Sequence, residues 1–279
     1  MALTVGASVI WGTSFVAVSV GLEYSNPYVL LFERFFVASL AIFVLGLFSR
    51  SAWVWDELRR PRTWGIGVVY AAAFLLQFMG QSDSSASASA LLSNLFVVFV
   101  PVAAFFLLRE QLPASSKAAV ALSVVGILFV LPSGLDVSGA ILGDLLLVGA
   151  SIGYTLFIVL GKRYDVSSTA SSFALIVSMT VVMAPLAALE GGPFAIGALS
   201  TAAAWESLVW LGVPCTVVAL AMYTRGLASI RATQSATLLL LEIIIGVLLS
   251  VSLLGDAVNL TQAFGAGVIG AAILLSSRR

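Results

Sequence analysis

The sequence predicts an all-α integral membrane protein, with ten transmembrane helices arranged as two inverted five-helix repeats. Three observations carry that reading. The composition is too apolar for water, apolar runs of bilayer length recur along the whole chain, and the second half of the sequence resembles the first.

Of 279 residues, 61% are hydrophobic and 9% charged, against roughly 25% charged in soluble domains. Mean hydropathy is +1.12. A soluble fold of this length could not bury so much apolar surface, whereas helices that satisfy their own backbone can present it to hydrocarbon. Net charge is zero, and no basic stripe with interleaved aromatics runs through the chain, so no nucleic-acid partner is expected. The single cysteine, Cys215, lies in an apolar run; it excludes an intrachain disulfide and reads as a small packing residue. The chain has no histidine, which removes His-rich zinc sites, a Ser-His-Asp triad and a histidine proton relay. Neither an enzyme activity nor a cofactor or metal is expected from this set of side chains. The expected partners are a small-molecule substrate and the lipid bilayer.

Runs long enough to cross a hydrocarbon core, roughly 20 residues each, fall near 3–22, 27–49, 64–82, 86–108, 117–132, 140–160, 169–189, 206–225, 232–254 and 260–277. Between them stand Asn26-Pro27, Pro61, Pro113, Pro132, Gly191-Gly192-Pro193 and Gly255-Asp256, the residues that punctuate helices. The segment from Met1 to Leu22 has no basic n-region and reads as a retained first span. With the amino terminus inside, the inner loops and the tail receive twelve of the thirteen Lys and Arg residues. The outer loops and helix ends hold Glu23, Asp83, Asp136, Asp144, Glu190, Glu206 and Asp256, with no basic residue among them. Because basic loops stay in the cytoplasm, both termini and the loop around Lys162 are expected there, with the chain in the cell (inner) membrane.

The repeat is visible in short matches. Val5-Gly6-Ala7-Ser8 returns as Val148-Gly149-Ala150-Ser151, 143 residues on. At an offset of 146, Trp64 meets Trp210, Gln77 meets Tyr223, Ser89-Ala90 meets Ser235-Ala236, and Leu108-Arg109-Glu110 meets Leu254-Gly255-Asp256. A unit of five spans is odd, so the two halves must cross the membrane in opposite senses, which is the inverted-repeat plan with a substrate path at the interface. Alternating access is the transport mode such a plan implies.

Several of these residues also form a familiar pattern: Trp11-Gly12-Thr13-Ser14-Phe15, Pro27 with Arg34-Phe35, Ser89-Ala90-Leu91-Leu92 through Arg109-Glu110, Gly143-Asp144 with Gly161-Lys162-Arg163, and Leu241-Glu242 with Gly255-Asp256. Over its full length the chain resembles the drug/metabolite transporter superfamily, within it the EamA family, and particularly the YddG-type aromatic amino-acid exporters. The resemblance implies two EamA-type repeats, at 1–136 and 137–279, within one membrane domain. It departs from the family where a proline often follows the positions of Phe96 and Glu242. Here Val97 and Ile243 stand there, with Pro101 displaced further on, which leaves bending of these two helices open.

The candidate substrate-binding residues are the polar and amphipathic side chains inside the runs. Glu242 lies about 15 Å from either end of its run at 1.5 Å per residue, where a carboxylate is costly unless it faces the bundle interior or a wet cavity. A substrate-amine contact, a protonation site or a packing hydrogen bond would each account for it. Arg34 matches the family's recurrent arginine, and substrate carboxylate binding, snorkelling or a carbonyl bond all fit it; adjacent Glu33 points about 100° away on a helix and reads as more structural. Trp11 corresponds to Tyr154 at the offset of 143, giving two large rings with polar edges suited to an apolar substrate that also needs a hydrogen bond. Tyr70, Gln77, Asn94 and Tyr223 fit either a cavity wall or interhelical bonding. Trp64 and Trp210 read as interfacial belt residues. Gly265, Gly267 and Gly270 match a dinucleotide fingerprint in spelling only, because that motif needs a strand before it; small residues in an apolar helix fit close packing, including at a dimer face.

The expected function is therefore a secondary transporter that exports small metabolites, foremost neutral and aromatic amino acids. Other small solutes (a drug, purine or sugar-like metabolite) are the alternative, followed by an intramembrane enzyme or a channel.

Overall fold

The computed structural model describes residues 1–48, 53–84, 86–111, 113–130, 141–191, 201–255 and 260–277. All regular structure among them is helical. Eight helices are long and apolar enough to cross a membrane: Ala2–Leu22, Pro27–Gly46, Pro61–Ser82, Ser89–Leu108, Leu142–Arg163, Thr169–Leu189, Ala202–Ala228 and Ala232–Leu254. Two shorter apolar helices, Ala114–Gly126 and Ala263–Leu275, accompany them. The ten apolar runs fall on these ten helices. The eighth run begins earlier than its hydropathy suggested, so Trp210 sits two turns inside its helix rather than at its start. Its indole nitrogen donates to Thr13 Oγ1 at 2.7 Å. Arg50, Pro132, Asp136, Pro193, Asp256, Arg278 and Arg279, on which parts of the loop and orientation reading rest, lie outside the described residues.

Local sequence explains four helix starts. Asn26 accepts from the Val29 amide at 2.9 Å, Ser168 from Ser171 at 3.0 Å and Thr201 from Ala204 at 3.2 Å, each satisfying an amide the helix itself leaves open. Pro27 and Pro61 occupy first helical positions, where the missing N–H costs nothing.

Lipid-facing positions are apolar: Phe43, Phe106, Leu142 and Leu274 are all more than 60% exposed. The interior instead collects Tyr223, Phe157 and Tyr70 with buried polar groups such as Glu33, Arg34, Asn94 and Glu242. Close approach of 2–22 and 232–254 depends on glycine. A Cβ on Gly12 would lie 2.5 Å from Ile245 Cβ, and one on Gly246 would lie 3.1 Å from both Ala90 Cβ and Phe15. On 260–277, Gly267 and Gly270 have nothing within 4 Å of a built Cβ, so it is Gly265, whose carbonyl meets Gly126, that lies in the packed face.

Three helices are irregular. The helix 86–108 gives way to a 3₁₀ turn at Ser93–Leu95, although no proline follows Phe96. Ser93 Oγ donates to the Ser89 carbonyl and Asn94 Nδ2 donates to the Ala90 carbonyl at 2.8 Å, so side chains compete for the bonds a regular helix would use. The helix 232–254 breaks at Leu240 between Leu239 and Leu241, again without a proline. That helix also closes in a π segment, Ser250–Leu254, and the third irregular helix, 202–228, carries one at Pro214, Val213–Val218. Both broken helices end in a left-handed residue, Arg109 at φ 53° and Gly255 at φ 77°.

At one end of the bundle, Lys162 Nζ donates to the carbonyls of Leu227, Ala228 and Ile230 at 2.8, 3.0 and 2.8 Å. All three ammonium protons are thereby spent on the turn between 202–228 and 232–254.

Candidate substrate cavity

Six helices line one small cavity. Trp11 enters from 2–22, Tyr70 and Gln77 from 61–82, Asn94 from the break in 86–108, Tyr154 from 141–163, Tyr223 from 202–228, and Glu242 from just past the break in 232–254. Seven of the eight candidate residues read from the sequence thus line a single space. Phe74, Phe96 and Phe157 line it as well; in sequence they were indistinguishable from the other apolar ring residues of an apolar chain.

The rings form a connected wall. Tyr70 stacks on Phe157 at 3.7 Å between centroids, with the planes 3° apart. Phe157 reaches Tyr223 at 6.1 Å, and Tyr223 reaches Trp11 at 5.2 Å. Phe74 closes edge-on against Tyr154 at 5.4 Å. Such pairs add of order 0.5–1.5 kcal/mol each beyond area burial, and they fix ring positions.

Polar edges are held too. The Trp11 indole donates at 2.7 Å to the carbonyl of Cys215, which lies in the π segment, where the Ala219 amide bonds Pro214 and Thr216 instead. Tyr154 donates its hydroxyl to Gln77 Oε1, and Ser235 donates to the Tyr223 hydroxyl at 3.1 Å. Asn94 and Glu242 line the same cavity, and the Asn94 amide donates toward the Glu242 carboxyl.

Arg34 is placed differently. It is buried behind the Phe74 ring, its guanidinium carbon 4.5 Å from the ring centroid, and its Nε donates to Thr216 Oγ1 at 2.8 Å. No Lys or Arg stands in the cavity wall among the described residues. The cavity encloses about 50 Å³, room for a few water molecules and not for a metabolite. Toward the end that carries Lys162, a wider cleft of about 1030 Å³ is lined by Glu110, Lys162 and Arg231.

The cavity thus lies inside the bundle beside two broken helices. The model of the EamA-like transporter family matches residues 1–131 and again 141–278. The chain belongs to the EamA-like transporter family. An uncharacterized transporter of Archaeoglobus fulgidus is 26% identical to this EamA-like transporter over 283 residues, covering 97% of this chain and 94% of the relative. A second from the same organism is 24% identical, covering 98% and 83%. Uncharacterized transporter YcxC of Bacillus subtilis is 30% identical over 156 residues, about half of each chain. A solved crystal structure shares the fold, with a TM-score of 0.81 over 99% of this transporter and 96% of that chain, at 16% identity.

Proposed function

We infer that the chain is a secondary transporter that exports neutral and aromatic amino acids across the cell (inner) membrane. In this reading it has ten spans in two inverted repeats, at 1–136 and 137–279, both termini are cytoplasmic, and the halves alternate access to the cavity between them. The observation that carries the reading is the cavity wall: rings on most sides and one carboxylate, Glu242, midway along the helix Ala232–Leu254. An amino acid passing through a bilayer must exchange water for partners at its charged groups and for an apolar wall at its side chain. Glu242 supplies the first for an amine, and Trp11, Tyr70, Tyr154 and Tyr223 supply the second. Arg34 stands one ring behind the wall, against Phe74 and bonded to Thr216 Oγ1. The small volume fits a closed state that must open toward one face at a time to admit a metabolite.

Vesicles reconstituted with the protein and loaded with labelled amino acids, sugars, nucleosides and organic anions test the reading. Neutral amino acids should leave first, saturably, and more slowly from the Trp11→Ala or Tyr154→Ala protein; selective efflux of sugars or anions overturns the substrate assignment. Orientation is tested separately, in a background where Cys215 is replaced by Ser. An impermeant thiol reagent should mark a cysteine at position 190 in intact cells and not one at 163. Position 163 is preferable to 162, whose ammonium anchors three carbonyls.

A further inference from the structure

Resting on the transporter reading above, we propose that Asn94 and Glu242 form a subsite for a protonated primary amine, and that this amine, not the substrate's carboxylate, is what the cavity recognises.

Four observations carry it. First, Asn94 is 1% exposed and lines the cavity, and its Oδ1 has no hydrogen-bond partner among the described residues. A buried acceptor left unmatched is costly, so the position asks for a donor. Second, the amide cannot be turned round to cure this. Its nitrogen is committed to the Ala90 carbonyl at 2.8 Å, and a flip would set two oxygens against each other. The 3₁₀ break at Ser93–Leu95 therefore fixes which atom is left over. Third, Glu242 lines the same cavity, and its carboxylate oxygens can only accept. An ammonium, with three donors and a charge, matches an amide oxygen beside a carboxylate; a carboxylate ligand would meet only acceptors there. Fourth, the remaining wall is ring faces and edges, with Trp11 and Tyr223 paired at 5.2 Å. Such faces attract cations, and the one nearby guanidinium, Arg34, is occupied by Thr216 behind Phe74.

The probes that test this share a phenyl ring and differ in their charged groups: phenylalanine, phenethylamine, which lacks the carboxylate, and 3-phenylpropionate, which lacks the amine. Equilibrium binding to the purified full chain should rank phenethylamine close to phenylalanine and 3-phenylpropionate at least tenfold weaker. Asn94→Leu should weaken phenethylamine at least tenfold without moving 3-phenylpropionate, while Asn94→Asp, which keeps an acceptor, should retain phenethylamine binding. If 3-phenylpropionate binds the parent protein as tightly as phenethylamine, the subsite is overturned, whatever the variants do and whether or not Asn94→Leu folds. It is overturned equally if Asn94→Leu weakens both probes to the same degree, or if none of the three binds. Phenylalanine efflux with no preference for the amine would sink the subsite and leave the amino-acid reading standing. Amine binding that depends on Asn94, with no phenylalanine efflux, would do the reverse.

Discussion

The helices 86–108 and 232–254 both break where they line the cavity, and they repair the break by different means. In the first, repair is local: Ser93 and Asn94 bond carbonyls four residues back in their own helix. In the second, the carbonyls of Leu238 and Leu239 accept from Ser8 of 2–22, at 3.3 and 3.0 Å. The same two helices meet closely at Gly12 and Gly246, where a Cβ would lie 2.5 Å from Ile245 and 3.1 Å from Phe15. The first break belongs to a segment of sequence and the second to a packing contact. Their functional groups differ accordingly, since the local break presents an amide oxygen and the packed one presents Glu242. Their far ends differ as well, with Arg109 bearing the left-handed cost that Gly255, 146 residues on, avoids.

Removing the charge at the second break should have the largest effect. Glu242→Gln keeps the size and much of the hydrogen bonding while losing the ionisable group; flux in vesicles is expected to fall at least about tenfold, equivalent to ~1.4 kcal/mol, with thermal stability close to that of the parent. Full flux from a folded variant would show that the carboxylate has no essential part.

Packing comes next. Gly12→Ala would put a methyl 2.5 Å from Ile245 Cβ, and overpacking of this kind costs about 1–3 kcal/mol. Gly270→Ala, with open space around the new methyl, should leave stability unchanged or raise it by up to ~1 kcal/mol. Equal melting temperatures for the two variants would mean that the glycine contact does not hold 2–22 against 232–254.

A smaller, reciprocal pair concerns the helix ends. Arg109→Gly should stabilise by about 1 kcal/mol and Gly255→Ala should destabilise by about as much, because a non-glycine residue pays ~1–2 kcal/mol in the left-handed region. Denaturation in detergent would read both, and shifts of the same sign would contradict the assignment. Smallest is Ser8→Ala, which leaves the Leu238 and Leu239 carbonyls without their cross-helix donor and should cost about 0.6 kcal/mol, the usual worth of such bonds in membranes. Ser93→Ala is its local counterpart. If only Ser93→Ala lowers stability, the second break does not depend on its neighbour.

What the sequence by itself determined is whatever follows from composition and short-range chemistry. The apolar runs located, among the described residues, eight helices long enough to cross a bilayer and two shorter ones; Asn26, Pro27 and Pro61 marked helix starts; and polar or amphipathic residues inside the runs marked Trp11, Tyr70, Gln77, Asn94, Tyr154, Tyr223 and Glu242 as candidates because lipid tolerates them poorly. The break in 86–108 was legible in principle as well, in Ser93 and Asn94 rather than in the missing proline. Only the tertiary structure decided which candidates share a cavity. It set Arg34 behind Phe74 rather than in the wall, turned the Cys215 carbonyl toward Trp11, recruited Phe74, Phe96 and Phe157, and satisfied the second break from Ser8. The reason is physical: a helix that is apolar all round carries little record of which side faces lipid and which faces a neighbour, so the face each helix presents is settled by close packing against the others.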